Sequence, residues 1–86
     1  MKLKVEIRRN ADGEIATDIW PDWDFNQSWW EDGNAQCDCN RQLFFDRAQG
    51  KEDEHDWEGA ACSDGKYSVR LSDADTGEVL YDELST

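Results

Sequence analysis

Eighty-six residues make a single domain, residues 1–86, whose folded surface of about 5,200 Å² leaves only a thin core. Nine Lys plus Arg against 21 Asp plus Glu give a net charge of −12, and only 37% of the residues are hydrophobic. A field of that sign repels phosphate and anionic headgroups, which excludes direct nucleic-acid binding and a membrane-surface role.

The charge is unevenly spread. Lys2, Lys4, Arg8 and Arg9 fall in the first nine residues with only Glu6 against them, so residues 10–86 hold 20 acids and 5 bases. Such low hydropathy leans toward disorder, but five Trp, three Phe and two Tyr argue for a folded domain, because each offers ~150–250 Å² of buriable surface. The first six residues carry a charge at every second position and no apolar signal-peptide core. No apolar run approaches the ~20 residues of a membrane span, so a cytoplasmic protein is expected. Three cysteines are an odd number, which argues against a complete disulfide framework.

Leu3, Val5 and Ile7 alternate with Lys4, Glu6 and Arg8, the period of a half-buried strand. Asn10-Ala11-Asp12-Gly13 supplies turn chemistry, and Ile15, Thr17 and Ile19 repeat the alternation up to Trp20. Pro21 lacks a backbone donor and ends the pairing, so residues 2–20 read as a β-hairpin. Residues 21–36 have no clear period, and their aromatic rings are interspersed with acids.

Asp38 is placed to cap a short helix near 39–49, with Gly50 as its left-handed terminator. Leu43, Phe44 and Arg47 fall near one face of it, the Arg47 stem snorkelling. Residues 51–58 are an acidic run suited to an exposed loop. Tyr67, Val69 and Leu71 alternate, Asp73 to Gly77 turns the chain, and Glu78 to Leu84 completes a second hairpin over 66–84. The expected fold is α+β, a small antiparallel sheet of two β-hairpins in ββαββ order with one short helix on a face.

Cys37-Asp38-Cys39 carries the most chemistry. In an extended segment, positions i and i+2 project to one side, so both sulfurs reach one ion. Cys62 and His55, Cys62 ahead of His55, would complete a Cys₃His zinc set. One C-x-C pair is less than the two C-x₂-C knuckles of common structural zinc sites, and the competing reading is three reduced thiols packed as small hydrophobes. Asp73-x-Asp75-x-Gly77 starts like a calcium loop, but position five is Gly77 and position twelve is Leu84, so a hairpin turn explains it. His55, the only histidine, sits among acids that favour its protonated form and make it a poor general base. No phosphate-cradling Gly-rich loop is present, and no enzyme is expected.

The Trp-acid segment from Trp20 to Asp32 is the best candidate binding surface. Trp is enriched at interface hot spots, and a ring flanked by carboxylates suits a partner's Arg or Lys. Trp20 and Trp29 are assigned to the core, while Trp23, Trp30 and Trp57, each beside two acids, fit an interface as well as a core.

Cys37-x-Cys39-Asn40-Arg41-x-Leu43-Phe44-Phe45, then Cys62, Tyr67-Ser68-Val69 and Thr76-Gly77-Glu78-Val79-Leu80-Tyr81, resembles small uncharacterised proteins of phages and prophages. The similar part runs from about Cys37 to Glu83. That family carries no activity to transfer. The resemblance implies a phage-borne or prophage-borne accessory gene and ties Cys37, Cys39 and Cys62 together. Many small acidic phage proteins occupy a nucleic-acid site on a host protein, so resemblance and charge agree.

The expected function is a non-enzymatic inhibitor or modulator that binds a basic surface of a host nucleic-acid-handling protein. Asp22, Asp24, Glu31, Asp32, Glu52, Asp53, Glu54, Asp56 and Glu58 stand in for phosphates, and Trp23, Trp30 and Trp57 anchor the contact. The alternative is a small zinc-stapled structural or interaction domain whose acidity serves solubility only.

Overall fold

The computed structural model describes residues 1–22, 38–51 and 65–85. Among the described residues there are four strands and one helix in ββαββ order: β1 (Leu3–Arg9), β2 (Glu14–Trp20), α1 (Asp38–Ala48), β3 (Tyr67–Asp73) and β4 (Val79–Asp82). The strands form one antiparallel sheet in the order β2-β1-β3-β4. The two hairpins therefore join through β1 and β3, and β2 and β4 are the edges. The fold is α+β.

The core follows from the pleat. In β1, Leu3, Val5 and Ile7 are fully buried on one face while Lys4, Glu6 and Arg8 take the other. The register sets Val69 beside Ile7 and Leu71 beside Val5, so the β3 pair joins the same apolar face. Phe45 of α1 is fully buried against this layer, with Tyr67 at 5.7 Å between ring centroids and the Arg9 guanidinium 5.0 Å from its own ring. Phe44 meets Trp20 edge to face at 5.2 Å. Burying a ring the size of Phe45 contributes roughly 1.5–3 kcal/mol, a large share for a core this small.

The helix ends where the sequence turns to glycine. Gly50 has φ +73°, the Lys51 N–H donates to Asp46 O at 2.8 Å and the Gly50 N–H donates to Arg47 O at 3.0 Å. That pair of bonds satisfies the last carbonyls and requires the left-handed residue. The second hairpin turns on Asp73, whose Oδ1 accepts the N–H groups of Asp75 at 2.8 Å and Thr76 at 3.2 Å. Gly77 follows at φ +79°, so this stretch is a hairpin turn, as the failed calcium spacing implies.

Two elements present a different face from the one their sequence suggests. In β2 the alternation is real but inverted. Ile15 and Ile19 are 52% and 45% exposed, whereas Ala16 and Trp20 are buried. Leu3 pairs with Trp20 and Ile7 with Ala16, so the even-numbered residues lie on the core side. A strand shifted by one residue swaps all its side chains, and the single Trp20 ring, seated against Phe44, fixes the choice. In α1 the inward residues are Phe45 and Arg41, four apart, with Phe44 and Ala48 beside them. Leu43 is half-buried and Arg47 exposed, so the Leu43–Phe44–Arg47 face is not the packing face.

Candidate functional site

The buried face of the helix carries a charge. Arg41 is only 5% exposed. Its Nη1 donates to Tyr67 O at 2.8 Å and to Glu83 Oε1 at 2.7 Å, and its Nη2 donates to Glu83 Oε2 at 3.2 Å. The Glu83 carboxylate also accepts the Tyr81 hydroxyl and, at 3.1 Å, the Val69 N–H. Burial pushes the Glu83 carboxyl up, but the Arg41 guanidinium, the Tyr81 hydroxyl and the Val69 N–H together hold it below its ordinary value. This arrangement clamps α1 to β3 and to the residue just past β4. Arg41, Tyr67, Val69 and Tyr81 meet here. Both carboxylate oxygens of Glu83 are engaged, and the cluster ties the helix to the sheet.

On the opposite face of the sheet, Arg70 donates to Glu6 through Nε at 3.0 Å and Nη2 at 2.9 Å. This hydrogen bonding outweighs partial burial and keeps the Glu6 carboxyl below its ordinary value. The pair floors a shallow, open depression of about 250 Å³, walled by Lys4, Asp73 and Val79. A carboxylate held ionised by a guanidinium is a weak proton acceptor, and Ser72 lines the same depression. At the hairpin end, Arg9 bridges Asp12 and Glu14, and Arg47 approaches Asp18 at 3.7 Å.

These pairs bear on the charge distribution. All nine bases lie on the described scaffold, against twelve acids there. Arg9, Arg41, Arg47 and Arg70 make ion pairs, and Lys4 lies 4.0 Å from Glu6. The other nine acids fall in the segments 23–37 and 52–64, which contain no Lys or Arg.

Of the residues expected to bind a partner, Asp22 is described, exposed just beyond the end of β2. Trp23, Asp24, Trp30, Glu31, Asp32, Glu52, Asp53, Glu54, Asp56, Trp57 and Glu58 lie outside the described residues, as do Cys37, His55 and Cys62. Asp38 and Cys39 belong to the first turn of α1, so the backbone there is helical rather than extended as the C-x-C reading assumed. Among the described residues no three His, Cys, Asp or Glu side chains gather to hold a metal ion. No described helix is long and apolar enough to cross a membrane. Trp20 is buried, as expected of a core ring.

Sequence reasoning missed Arg41 and Glu83 as a pair. The available signal was an Arg four residues before a central Phe on a helix with few apolar positions, which marks a charge on the packing face in need of a partner. No family model matches the chain, and no curated protein or solved structure matches it.

Proposed function

We propose that the chain is a non-enzymatic, phage- or prophage-type accessory protein of the host cytoplasm. It occupies a basic groove on a host nucleic-acid-handling protein, its carboxylates standing where phosphates would. The observation that supports this reading is charge segregation. The scaffold carries all nine bases against twelve acids and pairs most of its cations internally, while segments 23–37 and 52–64 carry nine acids and no base. An acid whose only role is solubility has no need to be sorted from the bases in this way. Segregated charge steers a basic surface, and Trp23, Trp30 and Trp57 in the same segments supply aromatic anchors.

The test is capture from a host lysate on the immobilised full chain. A basic nucleic-acid-handling protein should be retained at low salt and released toward about 1 M, where screening shortens to ~3 Å. Reversing Asp22, Glu52 and Asp53 to Lys should slow association more than it speeds dissociation. A partner held equally well at both salt concentrations, or indifferent to the reversals, would end this reading.

A further inference from the structure

Among the described residues, one edge of the sheet is open in a way that specifies what can join it. The Asn10 N–H donates to Lys66 O and the Ala74 N–H to Lys2 O, both at 2.9 Å, so the even-numbered residues of β1 turn their backbone groups toward β3. In an antiparallel ladder alternate residues address alternate neighbours. Leu3, Val5, Ile7 and Arg9 therefore address β2, at Trp20, Asp18, Ala16 and Glu14. Ile15, Thr17 and Ile19 remain, with their backbone N–H and C=O groups facing away from the sheet. The Ile19 N–H turns outward accordingly and donates to Asp18 Oδ1 at 2.9 Å.

The side chains of these three residues lie on the outer face, and both isoleucines are about half exposed. A seven-residue edge that presents three β-branched side chains and open backbone groups is a template for another strand. The other edge is protected: β4 has four residues, and an irregularity between Leu71 and Ser72 breaks its register.

We propose that β2 takes up an extended strand of a basic partner by β-addition. The added strand presents β-branched or apolar side chains on the outer face, against Ile15, Thr17 and Ile19. It presents Lys or Arg on the alternate face, beside Glu14 and Asp18. Charge selects this occupant. From Glu14 through Asp22 the chain holds three acids and no base; Arg9 pairs with Glu14 and Arg47 approaches Asp18, but Asp22 is exposed at the end of the strand and the molecule carries a net charge of −12. A second copy fits less well. Antiparallel self-pairing about Thr17 matches Ile15 with Ile19, but it gathers Glu14 and Asp18 of both copies on one face and joins two bodies of −12. The inference gives the proposed function a mode of contact and rests on that reading for the partner's charge.

The test uses the full chain, amide hydrogen exchange and a synthetic peptide alternating valine with lysine. The N–H groups of Ile15 and Thr17 should gain protection when the peptide binds, while those of Ala16 and Asp18, already in the ladder, change little. A valine–glutamate peptide should bind at least about 10-fold more weakly, a difference near 1.4 kcal/mol. Thr17→Pro removes an outward N–H that the β1 ladder does not use, so it should keep the folded exchange pattern and weaken the valine–lysine peptide at least about 10-fold.

If that variant unfolds, methylating alternate backbone nitrogens of the peptide applies the same block from the other side. Unchanged exchange at Ile15 and Thr17 at about 1 mM peptide overturns the proposal. Equal binding of the glutamate peptide overturns the basic partner. A dimer dispersed by Thr17→Pro shows a second copy on the edge instead. A salt-sensitive lysate partner indifferent to Thr17→Pro sinks the edge inference and leaves the proposed function standing. Peptide protection without any salt-sensitive partner does the reverse.

Discussion

Arg41 and Glu83 show how a thin core tolerates a buried charge. The guanidinium reaches the carboxylate with two nitrogens and Tyr67 O with one of them, and Glu83 takes two further donors, so the desolvated pair has its main hydrogen bonds made. Removing one member takes the counter-charge from the other in a partly desolvated site, which costs more than the pair itself contributes. Arg41→Ala should lower the unfolding free energy by about 3 kcal/mol, measured by urea denaturation. A loss within about 0.5 kcal/mol, the range of ordinary surface changes, would show that the clamp is dispensable.

The pH dependence has a definite sign. Glu83 and Glu6 both have an ordinary value of 4.5 and both are lowered in the folded state. The stability they contribute is therefore fully present above pH 4.5 and is lost as the pH falls through their folded values. Glu83→Gln should flatten the acid limb of a stability–pH curve, and an unchanged limb would count against the clamp.

At the scale of elements, the hairpins and helix were legible because their signals are local. Leu3, Val5 and Ile7 alternate strictly, and Gly50 terminates α1 in the conformation that its type favours. Which face each element buries was less legible, because that depends on partners distant in the chain. Ile15, Thr17 and Ile19 look like a core face until Trp20 meets Phe44 across 24 residues. Arg41 looks like a solvated helix residue until Glu83 arrives from past the last strand.

The inversion of β2 has a measurable consequence. Ile15→Thr and Ile19→Thr should each change stability by no more than about 0.5 kcal/mol, while Ile7→Ala should cost roughly 2–5. Equal costs for Ile15 and Ile7 in chemical denaturation would mean that β2 buries its odd-numbered residues. The residues expected to bind a partner were legible only as composition. Acids and Trp rings with no period name a kind of surface but not its geometry, and of those expected to bind only Asp22 lies on the described scaffold.

For the whole molecule, one charge distribution acts on two equilibria with opposite sign. A net charge of −12 on 86 residues repels itself, and that repulsion opposes compaction. Salt screens it, so added salt at pH 7 should raise the unfolding midpoint, with 1 kcal/mol of relief worth about 4–8 °C in a domain of this size. The same screening weakens attraction to a basic surface, so the proposed partner should be released by salt that makes the free protein more stable. Measuring both over one salt series separates a binding effect from a folding effect, because loss of binding through unfolding would require the two slopes to agree. Replacing Glu52, Asp53 and Glu54 by Gln should raise the midpoint at low salt and shrink its salt dependence while weakening partner capture. If the midpoint is flat in salt and unmoved by the triple replacement, the acids in 52–58 lie too far from the rest of the negative charge to interact. A contiguous negative surface of the kind a basic groove would recognise is then ruled out.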